Sequence, residues 1–296
     1  MIVVYSPAYR IDIGTHVFPT HKYELLSDRI HASSPEVEFV EPQPAAWEQL
    51  AVVHTAEYLR KLQTGDFAIA ELAQLEVPWS PGIVEGFRAM AGGTIAAARY
   101  ALGSGARGRA FHIGGGFHHA FANHGEGFCL FNDVAVAVRL LIEERGIERA
   151  AVIDLDVHHG NGTAFIFENE PRVFTFSMHQ QHNYPVLKPR GSLDVGLSDG
   201  TRDDVYLARL AGALPDVVAH APQIAFYLAG ADPYEDDQLG GLALTKHGLR
   251  VRDQMVLAAC TAAKVPIVVL LAGGYARNLQ DTVDIHYATY EETAAA

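Results

Sequence analysis

The chain has 296 residues, of which 49% are hydrophobic and 19% charged, with a formal net charge of −13. That profile excludes a disordered or fibrous chain, and the surplus of carboxylates opposes a broad phosphate-binding surface, so no nucleic-acid partner is expected. Two cysteines cannot build a disulfide framework for this length, and no apolar run reaches bilayer thickness, so a cytoplasmic location without membrane association is expected.

Short β-branched or aromatic runs alternate with longer amphipathic or Ala-rich stretches. Ile2–Tyr5 reads as a first strand and not as a leader, because no basic segment precedes it. After the Pro-bearing loop Glu41–Pro44 comes a helix over Ala45–Leu62, and after the loop Pro78–Gly82 a second over Gly86–Leu102. Arg109–Ile113 is the next strand, followed by a helix over Asp133–Glu144 with Asn132 as its N-cap. Strands at Ala150–Asp156 and Arg172–Met178 lead to a loop over Tyr184–Gly200 and a helix at Asp204–Ala219. Strand Gln223–Ala229, helix Gly248–Ala263 and strand Pro266–Ala272 complete the pattern. Such alternation implies right-handed βαβ units, hence an α/β fold: one domain over residues 1–296, with a mostly parallel sheet flanked by helices on both faces.

Four of these strands run directly into polar clusters. Arg109–Ile113 leads to Gly114-Gly115-Gly116-Phe117-His118-His119, and Ala150–Leu155 to Asp156-Val157-His158-His159-Gly160. Gln223–Ala229 leads to Gly230-Ala231-Asp232-Pro233, and Pro266–Ala272 to Gly273-Gly274-Tyr275. In open parallel sheets ligands bind beyond the carboxyl ends of the strands, so one site can gather all four.

Strand alternation puts Asp154, Asp156 and His158 on one face, where two carboxylates and an imidazole are costly unless paired or metal-bound. Taken singly, Asp154 or His158 reads as a turn cap. With Asp232 added, the set offers one nitrogen and two oxygen donors, suited to Zn²⁺ or Fe²⁺ with a coordination position left for water. His118 and His119 are then candidates for proton transfer, and Tyr275 for donating to an oxyanion. Cys129 raises the rival of a thiol nucleophile beside those histidines, although its place in Gly127-Phe128-Cys129-Leu130-Phe131 favours a small apolar wall residue.

Taken in order, these motifs resemble the histone deacetylase superfamily, within the arginase–deacetylase fold. The likeness runs over nearly the whole chain and includes Gly127 to Asp133 and Asp154-Leu155-Asp156-Val157-His158-His159-Gly160-Asn161-Gly162-Thr163. Arg29-Ile30-His31, Val53-His54-Thr55, Leu239-Gly240-Gly241-Leu242 and Arg252-Asp253 resemble the class IV branch and its bacterial relatives. The resemblance implies a zinc-dependent deacylase with Asp156, His158 and Asp232 as metal ligands, His118 and His119 as the acid/base pair and Tyr275 as the carbonyl-polarising hydroxyl.

It further implies a substrate tunnel with Phe128 and Tyr184 as walls and Gly127 as floor. A structural K⁺ site would use Asp154, the Ser177 hydroxyl and backbone carbonyls of Asp156, His158 and Met178. The substrate would be an acylated lysine in a protein or peptide, or a small acylated amine such as an acetylpolyamine. Two departures stand out: Asn161 takes the position that is aspartate in class I, and His159 the position that is usually glutamine in class IV. Rivals are a two-manganese ureohydrolase, which needs a second donor set, and a non-catalytic acyl-ligand sensor.

Overall fold

The computed structural model describes residues 1–296. Eight strands form one sheet: β1 (Ile2–Val4), β2 (Glu38–Val40), β3 (Arg109–His112), β4 (Ala150–Asp154), β5 (Val173–Gln180), β6 (Leu193–Leu197), β7 (Ile224–Leu228) and β8 (Ile267–Leu270). Their order is β2-β1-β3-β8-β7-β4-β5-β6, and every pairing is parallel. Every residue of β4, β7 and β8 is buried, which is why these strands read as continuous apolar runs with no polar face. Each large aliphatic side chain buried there contributes about 1.5–3 kcal/mol.

Ten α-helices surround the sheet: α1 (His21–Ser33), α2 (Trp47–Leu50), α3 (Ala56–Thr64), α4 (Ile69–Leu75), α5 (Pro81–Gly103), α6 (Asp133–Arg145), α7 (Asn161–Phe167), α8 (Asp203–Ala219), α9 (Lys246–Ala263) and α10 (Leu279–Ala295). Helix α5 packs on α6, while α8, α9, α10 and α1 pack in succession. No helix is long and apolar enough to cross a membrane.

Two expectations from the sequence are corrected. The helix expected over Ala45–Leu62 is broken into α2 and α3, because Thr55 is an N-cap whose hydroxyl accepts the Tyr58 N–H at 3.3 Å, and His54 is drawn aside to bond Phe121 O. The loop expected over Tyr184–Gly200 contains β6, an edge strand paired only with β5, whose exposed positions alternate with half-buried ones. Helices α1, α4, α7 and α10 and strand β2 were not anticipated. The α10 case has a clear cause: much of its buried face is Thr282, Thr289 and Thr293, with the last two hydroxyls bonded to carbonyls one turn back.

Two buried histidines make the fold acid-sensitive. Burial pushes His112 down to about 3, and His54 down to about 4 against partial opposition from backbone hydrogen bonds. Both folded-state values lie below the ordinary 6.5, so the unfolded chain takes up more protons as pH falls below about 6.5. Stability present above that pH is therefore lost on acidification, by roughly 1.4 kcal/mol per pH unit for each histidine. Melting temperature followed from pH 7 to 4 is expected to fall less steeply in His112→Asn than in the wild type, whatever the variant's absolute stability.

Candidate active site

Strands β3, β8, β7 and β4 are consecutive in the sheet, so the segments leaving their carboxyl ends meet. Asp156 and His158 follow β4, Asp232 follows β7, and their donor atoms lie within 4.8 Å of one another. His158 Nδ1 is 3.0 Å from Asp156 Oδ1 and 3.4 Å from Asp232 Oδ2. Backbone amides support the carboxylates from behind: Gly273 N–H donates to Asp156 Oδ2 at 2.7 Å and Val157 N–H to Asp232 Oδ1 at 2.9 Å.

All three residues are buried, and Asp232 Oδ2 receives no hydrogen bond. Burial opposes ionisation of Asp156, but His118 and His158 hold its carboxyl well below the usual range. Burial, then repulsion from Asp156, pushes Asp232 up to about 7. A buried carboxylate oxygen without a donor is costly unless a cation neutralises it, so the trio fits a divalent ion accepting nitrogen and oxygen donors. Gly273 keeps that space open, since a methyl there would overlap Asp232 Oδ2 and lie 2.6 Å from Asp156 Oδ2. Asp156, His158 and Asp232 are the one set of three such donors that converges in this way.

The loop after β3 carries two histidines with different partners. His118 Nδ1 donates to Asp154 Oδ2 at 2.7 Å, whereas His119 Nδ1 faces the neutral Asn161 Oδ1 at 2.6 Å. Their Nε2 atoms are 3.1 Å apart. Burial would lower His118, but Asp154 and Asp156 outweigh it and push the imidazole up to about 9. Burial and the neighbouring His118 and His158 push His119 well below its ordinary value. The surroundings therefore favour the charged form of His118 and the neutral form of His119.

The first residues of α6 grip this loop on both sides of the histidines. Asp133 accepts the N–H groups of Gly116 (3.0 Å) and Phe117 (2.8 Å), while Asn132 Nδ2 donates to Ala120 O (3.1 Å). Asn132 Oδ1 also caps α6 through Ala135 N–H, the role expected of it. The Asp133 role was missed because an acid in a first helical turn is already explained by the helix dipole.

Tyr275, whose N–H donates to Asp237 Oδ2 at 2.7 Å, shares one cavity of about 190 Å³ with Asp156, His158, His118 and His119. Gly127, Phe128 and Tyr184 line the same cavity, with the Tyr184 ring edge-on to His119 at 5.0 Å. Gly127 has φ +52°, and a Cβ there would lie 2.7 Å from His119 Cδ2. Among the wall residues that sequence reasoning missed are Phe18, stacked on Phe128 at 6.1 Å, and Glu76, which ends α4 in a left-handed conformation. Neither sits in a cluster that could have announced it. Cys129 also borders the cavity, but burial keeps its thiol protonated and Sγ bonds Gly127 O, so it is no nucleophile. Asp154 and Ser177 are register partners on β4 and β5, with Met178 next to Ser177.

The family model for the histone deacetylase domain matches residues 16–290. The chain belongs to the histone deacetylase family. An uncharacterized protein of Picosynechococcus sp. is 41% identical over 295 residues, covering 96% of this chain and 95% of the relative. Histone deacetylase 2 of Arabidopsis thaliana is 32% identical over 303 residues, covering 95% of this chain and 77% of the relative. The crystal structure of the HDA15 HD domain superposes with a TM-score of 0.81 at 22% identity, over 100% of this chain and 91% of that one, a likeness of fold. This histone deacetylase homologue is accordingly a hydrolase of the deacetylase type.

Its Arg252-Asp253 pair, singled out above by resemblance alone, acquires a physical task. The fully buried Arg252 donates Nε to Asp253 Oδ1 (2.9 Å) and Nη1 to Gly230 O (2.6 Å), the carbonyl two residues before Asp232. Asp253 in turn accepts from Tyr227 and Thr289 hydroxyls, so α9, β7 and α10 are tied to the loop that carries Asp232.

Proposed function

We propose that this histone deacetylase homologue hydrolyses the amide of acylated lysine side chains, acetyl or longer, with Asp156, His158 and Asp232 holding Zn²⁺ or Fe²⁺. The observation that carries this reading is that Asp156, His158, both histidines of the pair and Tyr275 line one narrow, aromatic-walled cavity. When bound, the ion would supply Lewis-acid polarisation of the carbonyl and lower the pKa of water.

The side chains account for the rest. His119, favoured in its neutral form, accepts a proton from the attacking water, and His118, favoured in its charged form, supplies one toward the leaving amine. Burial and the charges of Asp156 and Asp232 keep the Tyr275 phenol protonated, so it donates to the oxyanion. Phe128 and Tyr184 exclude water along the lysine stem. Asp154 and the Ser177 hydroxyl, with backbone carbonyls of Asp156, His158 and Met178, are assigned to a structural K⁺ ion.

The test is a panel of acyl-lysine peptides and acetylated polyamines assayed with purified protein of defined metal content. Tight binding without turnover across the panel would favour the acyl-ligand sensor instead. One observation supports acetylpolyamines as a second reading: Glu76 is among the residues that line the cavity, and an acidic side chain there suits a cationic amine beyond the acyl group. Glu76→Ala is then expected to raise KM for an acetylated polyamine about tenfold, the worth of one charge-assisted contact, and to leave KM for a neutral acyl-lysine peptide unchanged. Equal KM changes for both substrates would remove Glu76 from amine recognition.

A further inference from the structure

Behind His119 the hydrogen bonds continue past a neutral amide to a charge. Asn161 Oδ1 lies 2.6 Å from His119 Nδ1, and Asn161 Nδ2 donates to Glu126 Oε1 at 2.6 Å. The other oxygen of that carboxylate accepts from Gln74 Nε2 at 3.0 Å and lies 3.5 Å from His124 Nε2. Burial opposes the charge on Glu126, but bonds from His124, Asn161 and Gln74 outweigh it and hold the carboxyl below its ordinary range.

An ionised carboxylate can only accept hydrogen bonds, so Glu126 must face the amide NH₂ of Asn161. That turns the amide oxygen toward His119. A carbonyl oxygen also only accepts, so His119 Nδ1 must carry the ring proton and Nε2 must keep its lone pair. Without Glu126 the Asn161 amide can rotate by half a turn and present NH₂ to His119, which draws part of the population to the opposite tautomer, with Nε2 already protonated, against the His118 Nε2 3.1 Å away. We propose that Glu126 is a positioning residue that, acting through Asn161, fixes His119 in the tautomer whose Nε2 accepts a proton. The catalytic consequence rests on the hydrolase reading above, whereas the tautomer itself does not. The carboxylate thereby performs across an amide the orienting task that an acid in direct contact with His119 would perform alone.

The experiment compares wild type, Glu126→Ala, Glu126→Gln, Asn161→Asp and the double variant Asn161→Asp/Glu126→Ala, all zinc-loaded. Nitrogen-15 NMR of histidine-labelled protein, with His119 assigned by its loss in His119→Gln, reads which ring nitrogen bears hydrogen. Wild type and Glu126→Gln are expected to show Nδ1–H, since the Gln oxygen still accepts from Asn161, and Glu126→Ala a mixture of tautomers. In kinetics Glu126→Ala is expected to lower kcat about tenfold with KM little changed.

In the Asn161→Asp background the same Glu126→Ala change is expected to raise kcat. There the introduced carboxylate accepts from His119 directly, and its one conflict is with the adjacent charge of Glu126. A purely structural Glu126 would cost the same in both backgrounds. That result, or an Nε2–H His119 in the wild type, overturns the proposal. A wild type that shows the Nδ1–H signature yet hydrolyses no acylated amine sinks the hydrolase reading and leaves the tautomer assignment supported.

Discussion

Tyr275→Phe is expected to lower kcat by about 10²- to 10³-fold while KM for an acyl-lysine peptide stays within about threefold of the wild type. The substitution removes one oxygen and keeps the ring, so the packing against Phe18 (6.4 Å) and Phe128 (5.9 Å) survives and the cavity keeps its shape. What is lost is a donor that matters only once negative charge collects on the carbonyl oxygen. A ground-state amide gains little from it, which is why the effect falls on turnover and spares affinity. Steady-state kinetics on a fluorogenic acyl-lysine peptide checks the split. Unaltered kcat would strike Tyr275 from the chemistry.

His158→Ala is expected to reduce zinc in the purified protein from about one ion per chain to less than about a tenth, because even groups that merely orient a metal ligand are worth 10–100-fold in affinity. With the imidazole gone, Asp156 and Asp232 remain as two buried carboxylates whose repulsion already raises Asp232. The neighbouring His159 serves as the control. Its Nε2 faces Asp194 at 3.3 Å, so His159→Ala is expected to keep its zinc. Elemental analysis after dialysis against a weak chelator distinguishes the two variants, and a full complement of zinc in His158→Ala would refute the donor set.

The candidate site was legible because it sits where apolar strands stop. The completely buried β4, β7 and β8 announce themselves as uninterrupted hydrophobic runs, and any His, Asp or Tyr placed just after such a run is conspicuous. Alternation within Asp154-Leu155-Asp156-Val157-His158 pointed to the candidate donors, but β4 ends at Asp154, the next four residues are not strand, and all five side chains are buried, so the expected strand face is not what gathers them. Elements that obey a different code stayed hidden. A helix face written in threonines, as in α10, lacks the apolar period, and β6 is an edge strand set among Pro and Gly.

Residues that act through a neighbour were equally invisible. Glu126 lies in a glycine-flanked turn, and only the fold brings it to Asn161, 35 positions away. Asp133 presented a sufficient local explanation and so concealed its hold on the Gly116 and Phe117 amides. Thr55, by contrast, was a readable helix start inside the segment Ala45–Leu62, with its acceptor oxygen three residues before Tyr58. The apolar period across Ala45–Leu62 masked it.

The bond from Val157 N–H to Asp232 Oδ1 joins residues 75 positions apart, on the segments that follow the neighbouring strands β4 and β7. Sliding one of those strands by a single position would displace the segment that follows it and pull the trio apart. An ion held by the trio would thus inspect strand alignment during assembly: only the correctly threaded chain would retain it, and misaligned molecules would forgo its stabilisation.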